Sequence, residues 1–289
     1  MTRLRTMNKP VIRKVLIKVV RILLMSYVGM LAVAYFMQQK LVWPMSLETP
    51  VHRSAHPAAR LVWMNQHEDK PELAVEGWFF PAPGASAEKP APALIFFHGN
   101  NEVIDYCLEF VETYSRMGIS VLLAEYRGYG RSGGTPGQME IRSDMVGFYE
   151  WLIEQPDVDP EGIIYHGRSI GGGVASDLAS VRKPAAMVLT STFTSMDAMF
   201  SRFGVPASIV KDKYSPETVV AEADYPILVM HGNRDNVIPV SHGRLLGTLG
   251  KQTRYIEYNA SHDLPMDWRQ FESDVVQFLR DAQLVASPE

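Results

Sequence analysis

The sequence predicts an α/β protein with a mostly parallel central sheet covered by helices on both faces. Two patterns carry this expectation. Continuous apolar runs, each closed by a turn signal or a helix start, recur at ALIFFHG, ISVLLAEY, GIIYHG, AAMVLT and PILVMHG, as strands buried on both faces do. Helical patterns lie between them, over 102–117, 138–154, 169–181, 241–249 and 265–284, and such alternation is the mark of βαβ units. A chain of 289 residues, 46% hydrophobic and 21% charged, has enough apolar material for a full core.

The N-terminus stands apart. Arg3, Arg5, Lys9, Arg13, Lys14, Lys18 and Arg21 precede ILLMSYVGMLAVAYFM, Ile22 to Met37, which carries no charge. With Val19 and Val20 added, and Arg21 snorkelling, the run approaches the ~20 residues that cross a bilayer. We read 1–21 as a basic cytoplasmic tail and 22–40 as a transmembrane anchor. Only Lys40 follows closely, so the basic side is cytoplasmic and the remainder periplasmic or lumenal. Two other readings compete. Ala32-Val33-Ala34 has the form of a signal-peptide cleavage site, although Tyr35, Phe36 and Met37 continue the apolar run beyond it. A buried soluble helix is disfavoured by the absence of a polar face.

The remaining domain is expected over 45–289. RLVWMN and ELAVEGWFF alternate apolar and polar side chains, as half-exposed antiparallel strands do. PAPGASAEKPAP is a loop, the five buried strands follow, and TRYIEY is the last strand. Residues 192–220 break the alternation with short amphipathic helices and are too long for a plain connection. A long insertion after a strand's C-terminal end lies over the ligand crevice of an open α/β sheet. We expect a small lid there, with Phe193, Met199 and Phe203 facing substrate; surface packing is the alternative.

The chemistry centres on GRSIG, Gly167 to Gly171, between a buried strand and a helix. It fits G-x-S-x-G, in which a sharp turn exposes the hydroxyl of Ser169 and the flanking glycines avoid collisions. A phosphate-binding loop would want Lys-Ser/Thr after the glycines, where Val174-Ala175 stands. A serine hydroxyl needs a base, itself held by a carboxylate. On such a sheet these follow in the order acid, then histidine, on loops after later strands. Asp235 lies just past PILVMHG and His262 lies in the loop after TRYIEY. Asp224 precedes its strand, and Glu257 lies within one. His231 and His242 are the alternative bases.

An oxyanion hole completes such a site. FFHGNN follows the first buried parallel strand, which suggests the backbone N–H of Asn100 as one donor and that of Ile170, after the nucleophile, as the other. His98 is expected to brace this loop. No second ligand sits at metal spacing from it, and neither metal nor cofactor is expected.

HGN, YRGYGRSGGTP, GRSIGGG, HGNRDNVIP and NASHDL, in that order, resemble the α/β-hydrolase fold. They are most similar to its membrane-anchored serine hydrolase branch, which includes lysophospholipase-like and depalmitoylating members. The resemblance covers about residues 35–285, including FMQQKLVWP. It implies Ser169, Asp235 and His262 as a catalytic triad, with Asn100 and Ile170 as oxyanion donors. One departure is Glu125, where the family commonly has Asp; the turn it opens reads as structural. Arg127 and Arg131 in that turn read as bracing ion pairs rather than headgroup ligands.

The function expected is hydrolysis of carboxylic ester or thioester bonds in lipid-like or small acyl substrates, through an acyl-enzyme. A serine peptidase and a non-catalytic membrane-anchored binding protein are the alternatives. The net charge of −4 gives no reason to expect nucleic-acid binding. Ser169 in place of Asp excludes dehalogenase and epoxide hydrolase chemistry. Cys107 is the single cysteine, so no internal disulfide forms.

Overall fold

A computed structural model of the chain describes residues 9–44, 56–65, 71–263 and 267–286. Among them, one sheet holds eight strands: β1 Arg60–Met64, β2 Val75–Phe80, β3 Ala91–Phe97, β4 Ser120–Ala124, β5 Val158–Arg168, β6 Ala186–Thr190, β7 Ile227–Gly232 and β8 Thr253–Tyr258. Their spatial order is β1-β2-β4-β3-β5-β6-β7-β8. β2 runs antiparallel to β1 and β4, and the other pairings are parallel. The chain moves outward from β3 to β4, then crosses back to β5 on the other side of β3. Loops leaving β3 and β5 therefore diverge from adjacent strand ends, and that gap is where open α/β sheets bind ligands.

The helices are α1 Lys9–Val42, α2 Leu108–Arg116, α3 Gln138–Ile153, α4 Ile170–Ala179, α5 Met196–Ser201, α6 Pro216–Glu222, α7 Val240–Leu249 and α8 Trp268–Asp281. The sheet separates two cores. On one face, Phe110 and Tyr114 of α2 and Phe271, Val275 and Phe278 of α8 pack over Phe96 and Leu123. On the other, α3, α4, α6 and α7 supply Phe148, Leu178, Val220 and Leu246 against Ile95, Leu122 and Val229. β4, β6 and β7 are buried at every position, as are residues 93–97 of β3 and 162–167 of β5, which explains their unbroken apolar runs; the edge strand β8 is only half-buried.

Three local expectations are corrected. The second antiparallel segment is not half-exposed: β2 is buried at all six positions. α3 covers one face, with Phe148 where a side chain on Gly77 would lie. The polar Glu76 tolerates burial because Trp78 Nε1 (2.8 Å) and Arg131 Nε (2.6 Å) donate to its carboxylate. Helix 102–117 begins as a 3₁₀ turn, Ile104–Tyr106, and becomes α-helical only at Leu108. The N-terminal helix is longer than residues 22–40, continuing through the basic stretch to Lys9. Arg127 and Arg131 do brace the turn, by paired bonds to Asp144 (2.7 and 2.5 Å) and by bonds to Glu76 and Asp105.

α1 is long and apolar enough over Ile12–Val42 to cross a membrane, with mean hydropathy 2.0 and its most apolar window unburied. An anchor and a signal sequence share those properties; a core helix does not. Its C-terminal end nevertheless enters the domain. Trp43, outside the expected domain limits, is 1% exposed. Its ring stands edge-on to Tyr126, Tyr129 and Tyr214 at 5.5–6.3 Å, and Nε1 donates to Asp212 at 2.8 Å. Trp43→Ala is expected to destabilise the fold by about 3–5 kcal/mol, as for other buried tryptophans. A urea midpoint no lower than wild type in detergent would show that this joint is dispensable.

Candidate active site

β5 turns into α4 at Ser169, whose backbone lies at φ 55°, ψ −121°. A serine seldom adopts this left-handed conformation, and it persists only where neighbours over-determine it. Here Ser169 N donates to Thr190 O (2.9 Å), and its carbonyl accepts from Thr192 Oγ1 (2.7 Å) and Gly172 N (3.0 Å). The turn also needs bare backbone beside it. A Cβ on Gly171 would strike the Phe97 carbonyl at the end of β3, and one on Gly167 would meet Gly172 Cα at 2.6 Å. These glycines let α4 sit against two strand ends, which aims the hydroxyl at the gap between them.

Loops from β7 and β8 reach the same point. His262 Nε2 lies 3.1 Å from Ser169 Oγ, and its Nδ1 lies 2.7 Å from Asp235 Oδ2. Asp235 is fixed by the loop it opens, because Oδ1 accepts from the amides of Val237 (2.9 Å) and Ile238 (2.8 Å). Burial alone would push its carboxyl up. Hydrogen bonds from His231 and His262, and the Ile238 amide, outweigh burial and hold it below the ordinary carboxylate range. The carboxylate in turn favours a proton on Nδ1 of His262, leaving Nε2 free to accept one from the serine.

The other candidates lie elsewhere. His231 is buried behind Asp235, 3.3 Å from Oδ2 and 2.9 Å from Ile238 O. His242 is 3.2 Å from the Thr194 amide. Glu257 is paired with Arg244 at 2.8 and 2.9 Å on the last strand, and Asp224 pairs with Lys183 at the surface.

The loop after β3 is held from several sides. His98 Nε2 lies 2.7 Å from Glu125 Oε1, both side chains fully buried. Tyr126 Oη donates to His98 O (2.9 Å), and Tyr129 Oη to Asn100 O (3.1 Å). Gly99 N donates to Glu102 (2.8 Å), whose other oxygen pairs with Arg168. Glu125, set aside in the sequence as part of a turn, thus reaches the candidate oxyanion loop through His98. Asn100 and Ile170 both line the cleft beside Ser169.

That cleft holds about 350 Å³ and is almost wholly apolar. Phe193, Met199 and Phe203 line it, together with Met196 and Phe200 from the same segment and Val237 and Ile238 from the Asp235 loop. Leu41 and Val42 of α1 line it too, which no local pattern signals. On the other side of Ser169 lies a polar cleft of about 400 Å³, with Glu102, Arg168, Asn236, His262 and Asp263 in its walls. The serine stands between an apolar space and a polar one.

Residues 88–223 match the family described as serine aminopeptidase, S33 (Hydrolase_4). An uncharacterized protein of Mycobacterium tuberculosis, Rv2307c, is 32% identical over 243 residues, covering 82% of this chain and 84% of that one. The chain belongs to the α/β-hydrolase family. WAV2 of Arabidopsis thaliana, an alpha/beta hydrolase domain-containing protein, is 28% identical over 207 residues, covering 64% of each chain. Among solved structures, the esterase of Pyrococcus furiosus superposes with TM-score 0.63 at 18% identity, over 83% of this chain and 98% of that one. The match to S33 ends before Asp235 and His262.

Proposed function

We propose that this α/β-hydrolase is a membrane-anchored serine hydrolase cleaving carboxylic ester or thioester bonds of lipid-like or small acyl substrates. The observation that carries the proposal is the hydrogen-bonded line Ser169–His262–Asp235 on a strained elbow, beside an apolar cleft. In this reading His262 Nε2 takes the Ser169 proton as Oγ attacks the acyl carbon, and Asp235 stabilises the imidazolium. The N–H groups of Asn100 and Ile170 receive the oxyanion. On collapse the bond to the leaving group breaks, and His262 gives it the proton. Water then attacks the acyl-enzyme by the same path and frees the acid.

α1 is the anchor in this reading, with residues 1–21 cytoplasmic and the domain periplasmic or lumenal, following the asymmetry of basic residues. The 192–220 segment is the lid over the acyl side. Met199→Ala is expected to shift the ratio of kcat/KM for long over short acyl esters by about tenfold, since apolar contacts discriminate by roughly 1–3 kcal/mol. An equal fall on both esters would mark the segment as packing.

The S33 description supports a second reading, a peptidase on the same machinery. A substrate panel separates the two: acyl esters of graded length, acyl thioesters and amino-acid anilides, with an acyl-Ser169 adduct sought by intact mass. Turnover of anilides alone would replace the esterase reading, and no turnover with no adduct would end both.

A further inference from the structure

The second wall of the apolar cleft, Leu41 and Val42, belongs to the helix read as the anchor. α1 reaches the cleft because one stripe of its C-terminal half lies on the domain. Tyr27 Oη donates to Gly204 O (2.9 Å), Leu31 and Ala34 pack on the core, and Gln38 bonds Ile209 O (3.0 Å) and Lys211 N (2.7 Å). These residues and Val42 are three or four apart, on one helix face. Residues 204–211 therefore run beside α1 from Tyr27 to Gln38, about 16 Å at the rise of a helix.

The other faces of that stretch are open and apolar: Val28, Met30, Val33 and Phe36 are 40–75% exposed. Continuous exposed apolar surface of this kind calls for lipid. Whatever is docked on the helix at Tyr27 must then share its depth. Tyr35, under the Lys211 ammonium at 4.5 Å, and Lys40 mark the water interface. Gly204 meets the helix eight residues before Tyr35, about 12 Å deeper. Beside it Phe203 is 70% exposed, and its neighbour Arg202 turns its guanidinium back to Val237 O (3.4 Å).

We propose that the turn around Phe203 sits in the leaflet adjoining the domain, and that acyl chains pass from that leaflet into the cleft between Phe203 and Leu41. The end of the anchor is then a wall of the acyl site and Leu41 a specificity-determining residue. The substrate class is an acyl ester or thioester whose chain is held in a bilayer, with its polar part received on the Arg168 side of Ser169. The assignment of the cleft rests on the serine hydrolase reading above.

The test uses the full chain in phosphatidylcholine vesicles. Cys107 is buried, so Phe203→Cys offers the one accessible thiol for a nitroxide. The label is expected to be relaxed by oxygen and shielded from a water-soluble nickel chelate; full access to the chelate would overturn the leaflet position. Leu41 is itself 64% exposed, so Leu41→Trp leaves the fold intact while narrowing the passage. It is expected to lower the ratio of kcat/KM for dodecanoyl over butyryl ester by about tenfold or more. An unchanged ratio would remove α1 from the acyl site. Fluorophosphonate labelling of Ser169 keeps the two levels apart. Labelled protein with the wrong depth or ratio overturns only the route from the leaflet; unlabelled wild type overturns the hydrolase reading and this proposal with it.

Discussion

Ser169→Ala is expected to lower kcat on a short acyl ester by about six orders of magnitude. The reason is that alanine leaves no hydroxyl at the elbow to attack the acyl carbon. In the proposed mechanism the covalent step needs an oxygen at the elbow, 3.1 Å from His262 Nε2. Binding should survive, because the apolar walls and the loop after β3 are untouched, so KM should move far less than kcat. The same substitution should abolish labelling by a fluorophosphonate probe that marks wild type. Equal labelling of the two proteins, or a residual rate within a hundredfold of wild type, would mean that the nucleophile lies elsewhere.

Asp235→Asn is expected to cost about four orders of magnitude in kcat. An amide at this position cannot stabilise an imidazolium, and its NH₂ would favour the wrong tautomer of His262. Paired with Ser169→Ala the loss should be no greater than for Ser169→Ala alone, because in the proposed mechanism the three residues act as a unit. Glu257→Gln is the contrast, since Glu257 is engaged by Arg244 and Tyr255; near-normal turnover is expected there. If the two results were reversed, the acid would be Glu257. Stability offers a second readout. The Asp235 carboxyl is held below the ordinary range, so its contribution is complete above about pH 5 and is lost as pH falls through the folded value. The stability deficit of Asp235→Asn should therefore shrink toward acid.

The legible features share a physical cause. Strands buried on both faces must be apolar without interruption, so five of them could be read directly, and with them the parallel sheet and its order of loops. The elbow is legible because a sharp strand-to-helix turn needs glycine at fixed spacing around the serine, whichever backbone presses on it: Gly172 Cα on Gly167, and the Phe97 carbonyl on Gly171. Asp235 and His262 could be named as candidates because topology delivers loops from successive strands to one end of the sheet. At β2 the pattern misleads, because alternation reports polarity, not cover. Glu76 reads as a solvent-facing residue until Arg131, Trp78 and α3 are seen around it.

By itself the sequence determined the α/β-hydrolase fold, the strained serine and the set of residues from which a base and an acid could be drawn. Tertiary structure alone decided which of these meet. It places His262 rather than His231 or His242 against Ser169, and it couples Glu125 to the candidate oxyanion loop through His98. It also brings Leu41 and Val42 to the cleft, more than a hundred residues before Ser169. Periodicity encodes which face of an element is buried, because burial is a local demand on each side chain. It does not encode which distant element covers that face, since any apolar surface of matching shape satisfies the same demand.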